Sequence, residues 1–240
     1  MTTSIAQPFA ALAFMAAASF AAAALAADTK ESRPVSGFSG IELAVPGKLE
    51  IIQDGTESLT IEGPAEVLAE IETLVRDGGK LVIRQRSRGN WPWHTKVKMV
   101  AHMKQVESVA ISGSGDVYAR TLRGARVTLA ISGSGDIEVP ALDADEAHIA
   151  ISGSGDVHVA GRAASVASSV SGSGEIKAGK LEARKATVSI AGSGDVALWV
   201  RESLTVKIAG AGDVRYYGDP SIEKRIAGHG SIKRLGPAPT

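Results

Sequence analysis

The sequence predicts an all-β fold, a β-solenoid built from coils of about 20 residues. The first observation is the string ISGSGD, which begins at Ile111, Ile131 and Ile151 and is followed by four softened copies. The second is the spacing, because the first glycines of the seven copies are separated by 20, 20, 19, 20, 18 and 18 residues. A single unit of this size cannot bury its apolar face alone. Seven units at one spacing therefore indicate a stack of similar coils.

Each predicted coil contains a strand, a glycine turn and a second strand. Apolar residues alternate before the turn, as in Val127, Leu129 and Ile131, and again after it, as in Ile137 and Val139. Side chains at alternate positions share one face of a strand, and neighbouring strands lie about 4.8 Å apart. We therefore expect ladders of Val, Ile and Leu in the core, with the glycines where the coil turns sharply or needs a positive φ.

The first 27 residues predict a secretory signal peptide. They contain no charged side chain, the run from Phe9 to Ala27 is nearly all Ala, Leu, Phe and Met, and Ala24-Leu25-Ala26 forms an A-x-A cleavage pattern. A retained membrane anchor is the alternative, since about 20 apolar residues span a bilayer. In both cases the rest of the chain is expected outside the cytoplasm, in the periplasm, on the cell surface or secreted. Cleavage would leave no membrane span.

The remaining chain is predicted to have four parts. They are a polar linker (28–34), an N-terminal β-rich cap or continuation of the stack (35–105), the GSGD-repeat solenoid (106–236) and a tail (237–240). In the cap region Phe38, Ile41 and Leu43 alternate as in a strand. Pro64 begins a helical pattern that continues to Ile71. We expect a cap of strands with one short helix, since the end of a stack has open strand edges.

The composition excludes several kinds of function. Lys and Arg together number 26, as do Asp and Glu, so there is no basic excess for nucleic-acid binding. The chain has no cysteine, which excludes disulfides, thiol catalysis and zinc–thiolate sites. The five histidines lack metal-binding spacing, and the glycine turns match neither a Walker loop nor a dinucleotide fingerprint. No G-x-S-x-G nucleophile elbow occurs. We expect no catalytic residue, cofactor or metal.

The repeat, together with the segments that precede it, resembles a known family. GSGD units at about 20-residue spacing follow a secreted start, an F-x-x-I-x-L strand from Phe38 to Leu43, and the element DGGKLVI from Asp77 to Ile83. This combination resembles the bacterial head-GIN domain family, described as autotransporter adhesins, from roughly Val35 to Leu235. The resemblance implies a right-handed β-helix in the periplasm or on the cell surface. It carries over no catalytic residues.

One repeat position is acidic in six copies, and we call this set the acidic column. Its members are Asp116, Asp136, Asp156, Glu175, Asp195 and Asp213. Stacked carboxylates about 4.8 Å apart in water repel by roughly 0.9 kcal/mol per pair before salt screening. The column could bind Ca²⁺, which takes several oxygen ligands. The sequence favours a structural turn column in which each residue hydrogen-bonds the backbone of its own turn, because the calcium-binding nonapeptide has a much shorter period.

The segment from Arg84 to His94 is the predicted binding surface. Its candidate residues are Arg84, Arg86, Arg88, Trp91, Trp93 and His94. Exposed Trp and Arg are typical interface anchors, and Trp also stacks on sugar rings. The alternative is that both tryptophans plug the open end of the stack. The variable outward positions between copies are the other predicted place for specificity.

The sequence therefore favours a secreted, non-enzymatic β-solenoid that is an adhesin-like or envelope-associated binding or structural protein. Its partner would be an envelope component, a glycan or another protein rather than nucleic acid, and the sequence leaves the oligomeric state open. A carbohydrate-active enzyme of the parallel β-helix type is the alternative function. Such an enzyme needs clustered carboxylates or cations in a groove built by long loops. The coils here are short and uniform apart from the Arg84–His94 segment.

Overall fold

The structure, a computed structural model, describes residues 28–86 and 97–239, which form a β-solenoid of stacked parallel coils. The prediction of an all-β solenoid with one short helix is confirmed. The predicted signal peptide and the segment from Ser87 to Lys96 lie outside the described residues, as does Thr240.

The strands and the helix follow one another in this order. They are β1 (Thr29–Arg33), β2 (Gly40–Ala44), β3 (Gly47–Gln53), β4 (Ser58–Gly63), α1 (Ala65–Ala69), β5 (Ile71–Arg76), β6 (Lys80–Gln85), β7 (Val97–Met103), β8 (Ser108–Gly113), β9 (Asp116–Ala119), β10 (Leu122–Gly133), β11 (Ile137–Gly153), β12 (Val157–Gly172), β13 (Glu175–Gly192), β14 (Asp195–Gly210), β15 (Val214–Tyr217), β16 (Ser221–Gly228) and β17 (Ile232–Gly236).

The ISGSGD copies lie directly beside one another in successive coils. β10 pairs in parallel with β11, so that Ile131 lies beside Ile151 and Gly133 beside Gly153. β11 pairs in the same way with β12, where Ile151 lies beside Val170. The parallel pairing continues through β13 and β14 to β16. The repeat spacing in the sequence is therefore the length of one coil.

Aliphatic ladders fill the interior of the coils. In β10, Val127, Leu129 and Ile131 are at most 2% exposed, whereas Thr128 and Ala130 between them are partly exposed. Aromatic residues make up only 4% of the chain, so branched aliphatic side chains supply most of the core. Full burial of one such side chain stabilises the fold by about 1.5–3 kcal/mol.

The N-terminal coils stack in an order that differs from their order along the chain. β2 lies between β6 and β8, with Leu43 beside Ile83 on one side and Ile111 on the other. β3 likewise lies between β7 and β9. After β1, the chain enters the stack in the second coil, builds the terminal coil from β6 and β7, and returns to the third coil at β8. The described residues within 35–105 therefore continue the stack as well as cap it.

Antiparallel strands cover the N-terminal end of the stack. β5 pairs with β6, and β4 pairs with β7. β1 pairs with the other edge of β4, so the prediction of a linker over 28–34 is wrong for Thr29–Arg33. This strand was not predicted from the sequence because its residues are charged or polar and show no apolar alternation. Because Lys30, Glu31 and Arg33 line it, β1 is a poor template for a further strand.

Helix α1 is shorter than its sequence pattern predicted. It begins after Pro64 and ends at Ala69, with Val67 and Leu68 buried. Ile71, which was expected to be helical, begins β5. The backbone N–H of Arg86 donates to the carbonyl of Glu70 at 2.8 Å, so pairing with the end of β6 replaces the next helical turn.

Two columns of glycine allow the turns to stack. Gly153 has a φ of +135°, and a Cβ there would overlap the carbonyl oxygen of Gly133. A Cβ at Gly155 would overlap the carbonyl oxygen of Gly135 in the same way. The Gly133 carbonyl accepts the backbone N–H groups of Ser154 at 2.9 Å and Gly155 at 3.2 Å. Close backbone approach therefore requires glycine in both columns.

We predict that Gly153→Ala destabilises the protein more than Gly113→Ala. Both are the first glycine of an identical ISGSGD string, with φ of +135° and +130°, so both changes carry backbone strain of about 1–3 kcal/mol. A Cβ at Gly113 meets nothing within 4 Å. The clash at Gly153 should add a loss of about 1–3 kcal/mol, measured by urea unfolding. Equal losses would show that φ alone selects glycine.

Among the described residues, one polar side chain is buried within a core ladder. Ser168 lies between Ile149 of β11 and Val188 of β13 and is 4% exposed. Its hydroxyl has no hydrogen-bond partner among the described residues. A buried polar group without a partner costs roughly 1–3 kcal/mol.

Ser168→Val should therefore raise the free energy of unfolding by about 1 kcal/mol, because it removes the unpaired hydroxyl and adds apolar volume. Ser169→Val is the matched control, since Ser169 is the next residue of the same strand and is exposed. Thermal and urea unfolding of both variants measure the difference. An equal gain in both would assign the effect to strand propensity instead.

Candidate functional site

The residue two positions after the acidic-column position faces outward in all seven copies, including the last copy, where Ser231 replaces the acidic residue. These residues form a row along the stack. We call them the outer row, and they are Tyr118, Glu138, His158, Lys177, Ala197, Arg215 and Lys233. Each lies beside the next in the parallel pairing of β9, β11, β12, β13, β14, β15 and β17. The scaffold thus presents a different side chain in every coil.

A groove of about 530 Å³ lies over the C-terminal half of the outer row, and we call it the Tyr217 groove. Small residues on its floor, Ala160, Gly179 and Ala197, leave room that larger side chains would fill. The Tyr217 ring packs over Gly179, where a Cβ would lie 3.5 Å from Cε2 of the ring. Apolar residues supply much of the remaining lining, namely Val139, Pro140, Val159, Leu235 and Pro239. The predicted tail therefore contributes Pro239 to the lining.

The acidic column holds two cations of this groove in place. Nζ of Lys177 lies 3.2 Å from Oδ2 of Asp156 and 3.3 Å from Oε2 of Glu175. Nη2 of Arg215 lies 3.2 Å from both Oε1 of Glu175 and Oδ2 of Asp195. Partial burial lowers the pKa of Lys177, but its hydrogen bonds to Asp156 and Glu175 outweigh this, and the pKa is raised. Lys177 is therefore a cation at neutral pH.

Two further basic residues line the groove. The Lys177 ammonium donates to Nε2 of His158 at 3.1 Å, which requires that this nitrogen accept. Lys180 also lines the groove and has no ion pair within 28–86 and 97–239. The groove thus combines apolar walls with several cations, one of which has no protein counter-ion among these residues.

The acidic column bonds between coils rather than within its own turns. Oδ1 of Asp156 accepts the backbone N–H of Glu175 at 3.0 Å, and Oδ1 of Asp195 accepts that of Asp213 at 3.0 Å. The prediction that each residue bonds its own turn is wrong for these members, because parallel stacking brings the next coil's N–H to the carboxylate. In the described ranges, no group of three or more His, Asp and Glu is arranged to hold a metal ion.

A second groove, of about 610 Å³, surrounds Tyr118 nearer the N-terminal end. Tyr118 is 38% exposed, and Glu50, Asp136 and Glu138 line the groove with it. Glu138 belongs to both grooves. The outer face therefore changes from more acidic around Tyr118 to more basic around Tyr217.

Of the binding surface predicted from the sequence, the described residues Arg84 and Arg86 lie at the other end of the stack from the Tyr217 groove. Arg84 of β6 pairs with Glu72, with Nε 2.8 Å from Oε2, and Arg86 is exposed. Arg88, Trp91, Trp93 and His94 lie outside the described residues, so this surface stays a prediction. The structure does not bring Arg84 or Arg86 to the Tyr217 groove.

The sequence did not identify the basic residues of the groove as individual binding candidates. Aligning the seven copies on the acidic column would have revealed that the position two residues later varies from Tyr118 to Lys233. Tyr217 and Lys180 carry no such signal, because their approach to the groove depends on neighbouring coils.

An Asp–His pair lies apart from these grooves. Nδ1 of His102 is 2.6 Å from Oδ2 of Asp54. The hydrogen bond from His102, followed by those from Thr56, lowers the pKa of Asp54 to about 2. Asp54 is therefore ionised at neutral pH and orients His102 on the surface of β7.

The stacked coils and the antiparallel cap define a capped β-solenoid with a groove on its outer face. Residues 37–220 match the family described as "Putative auto-transporter adhesin, head GIN domain". The chain belongs to this family, which confirms the resemblance found in the sequence. No curated protein matches the sequence.

Solved structures share this architecture. A "putative adhesin" from Bacteroides fragilis has a TM-score of 0.82 and 26% identity, over 87% of this chain and 97% of that one. A "Putative lipid binding protein" from Parabacteroides distasonis has a TM-score of 0.71 and 25% identity, over 87% and 97%. A "putative adhesin" from Parabacteroides merdae has a TM-score of 0.69 over 87% and 96%, and at 20% identity it shows a common fold alone.

We predict that calcium up to about 1 mM leaves the melting temperature unchanged within about one degree. The carboxylate oxygens of Asp156 and Asp195 are already engaged by backbone N–H groups and by cations. Differential scanning fluorimetry with and without a chelator tests this. A saturable rise that Asp156→Asn abolishes would instead identify the acidic column as a calcium site.

Proposed function

We propose that this protein is an extracytoplasmic, non-enzymatic adhesin-like protein that binds its ligand in the Tyr217 groove. The observation that carries the proposal is the combination of apolar walls with cations positioned by the acidic column. The ligand that fits this combination is an envelope amphiphile with an apolar portion and an anionic group.

The geometry favours binding without large rearrangement. Lys177 and Arg215 project from strands β13 and β15, and each is braced by two carboxylates. A site built on strands holds its groups more rigidly than a site on loops. Lys180, which has no ion pair among the described residues, is the cation most available to an anionic ligand.

A related structure supports an apolar portion in the ligand. The Parabacteroides distasonis protein with the same fold is described as a "Putative lipid binding protein". In this chain Tyr217, Leu235 and Pro239 would cover such a portion, since all three line the groove.

The enzyme alternative has weaker support. Glu138 and Glu175 both line the groove, and a glycosidase uses two carboxyl groups, one of which donates a proton. Both carboxylate oxygens of Glu175 are already engaged in ion pairs, Oε2 with Lys177 and Oε1 with Arg215. The carboxylate therefore serves to orient cations.

The extracytoplasmic location rests on the A-x-A pattern at Ala24–Ala26 and on the adhesin family. No helix within 28–86 or 97–239 has the length and apolar character needed to cross a membrane. Secretion with cleavage would be tested by N-terminal sequencing of protein recovered from the periplasm or the medium. A chain that keeps residues 1–27 would point to a retained anchor.

We predict that the purified protein binds vesicles containing phosphatidylglycerol more tightly than vesicles of phosphatidylcholine alone. Lys180→Ala and Tyr217→Ala should each weaken binding at least about fivefold, since they remove a free cation and an aromatic wall. Vesicle co-sedimentation measures the affinity, and a dodecyl phosphate titration tests the free amphiphile.

Two control variants accompany this test. Tyr118→Ala removes an aromatic residue from the same face outside the groove, and Lys207→Ala removes an exposed cation on a different part of the coil. Both should bind as the unchanged protein does. Equal losses in the controls, or no preference for the anionic vesicle, would contradict the proposal. Cleavage of an acidic polysaccharide by the purified protein would favour the enzyme alternative.

A further inference from the structure

The two ends of the solenoid are finished differently. At the N-terminal end β4 and β5 pair antiparallel with the terminal coil. At the C-terminal end β16 pairs with β14 and β17 pairs with β15, and no register with a second strand is found for either among the described residues. Every residue of β16 is exposed. The outer N–H and C=O groups of β16 therefore form an open edge that can accept another strand.

Core ladders end at this edge without a cover. Ile222 and Ile226 continue the ladders of Leu204 and Ile208. They are 41% and 38% exposed, whereas Leu204 and Ile208 are 1% and 2% exposed. With Leu235, they account for three of the five exposed large hydrophobic residues in the described part of the chain. Apolar surface is thus concentrated at this end.

A lysine lies between these two isoleucines. Lys224 occupies the ladder position that Val206 holds in the preceding coil, and it has no ion pair in the described ranges. On β17 Arg234 takes the corresponding place after Tyr216. Its Nε donates to the carbonyl of Gly218 at 2.7 Å, so Arg234 is already engaged. On the core side of the open edge, an apolar residue, a cation without an ion pair and a second apolar residue therefore follow one another at alternate positions.

Charge decides which partner fits this edge. In an antiparallel pair of two β16 strands centred on Lys224, the two Lys224 side chains would lie opposite each other, and like charges across a strand pair are destabilising. A strand with an acidic residue opposite Lys224 and apolar residues two positions to either side would pair the charge and cover both isoleucines.

We propose that the C-terminal edge binds, by strand addition, an extended segment of another protein with the pattern apolar–x–acidic–x–apolar. Backbone hydrogen bonds to β16 would supply affinity, and the alternate side chains would supply specificity. The central residues of this surface, Ile222, Lys224 and Ile226, do not line the Tyr217 groove. The proposal therefore does not depend on the function proposed for that groove.

The test uses fluorescein-labelled peptides of sequence TVTETVT and TVTKTVT, with fluorescence anisotropy as the readout. The unchanged protein should bind the glutamate peptide at least about tenfold more tightly than the lysine peptide. Lys224→Glu should reverse that order. Arg225→Glu, on the next residue of the same strand, should preserve it, and so should Tyr217→Ala in the groove. Melting temperatures confirm that each variant is folded.

Hydrogen exchange identifies the bound edge. Addition of the glutamate peptide should protect the amides of β16 and leave those of β1 unchanged. Equal affinity for the two peptides would overturn the proposal by showing that Lys224 does not select an acidic partner. No binding of either peptide up to about 1 mM would also overturn it and make Lys224 a residue that blocks strand addition. A concentration-dependent dimer that excludes the peptide would also overturn it, by assigning this end to a second copy.

Discussion

The rest of the structure depends on the direct contact of glycine backbones between successive turns. The carbonyl of Gly133 accepts two N–H groups from the next coil, and a Cβ at Gly153 would occupy the same space. Because each turn lies on the one before it, the strands on either side are held in register. Residues such as Ile131 and Ile151 then meet in ladders, and the aliphatic core forms without many aromatic residues.

The same register changes the meaning of the acidic column. Isolated in the sequence, a row of six like charges suggests repulsion or a bound cation. In the stack, Asp156 accepts a backbone N–H of the next coil through Oδ1 and contacts Lys177 through Oδ2. Asp195 does the same for the next coil and Arg215. The repeated position therefore both links the coils and orients the cations of the variable outer row.

The two ends of the solenoid show what prevents further coils from being added to the stack. At the N-terminal end the chain folds back, so β4 and β5 cover the edges of the terminal coil, and the charged strand β1 covers the outer edge of β4. At the C-terminal end Lys224 and Arg234 replace apolar ladder residues. A core position that carries a charge favours neither another identical coil nor a second copy of this edge, and it leaves a surface with its own specificity.

The sequence by itself determined the solenoid, the coil length and the family, because these follow from a fixed spacing and from alternation within a few residues. Only the tertiary structure decided that β2 lies between β6 and β8, that Thr29–Arg33 is a strand, and that the groove closes around Tyr217. The predicted binding segment from Arg84 to His94 stays a prediction. The physical reason for this division is the sequence separation of the residues that interact. A turn depends on its own residues, whereas stacking order, edge pairing and a groove depend on segments that are distant in the sequence.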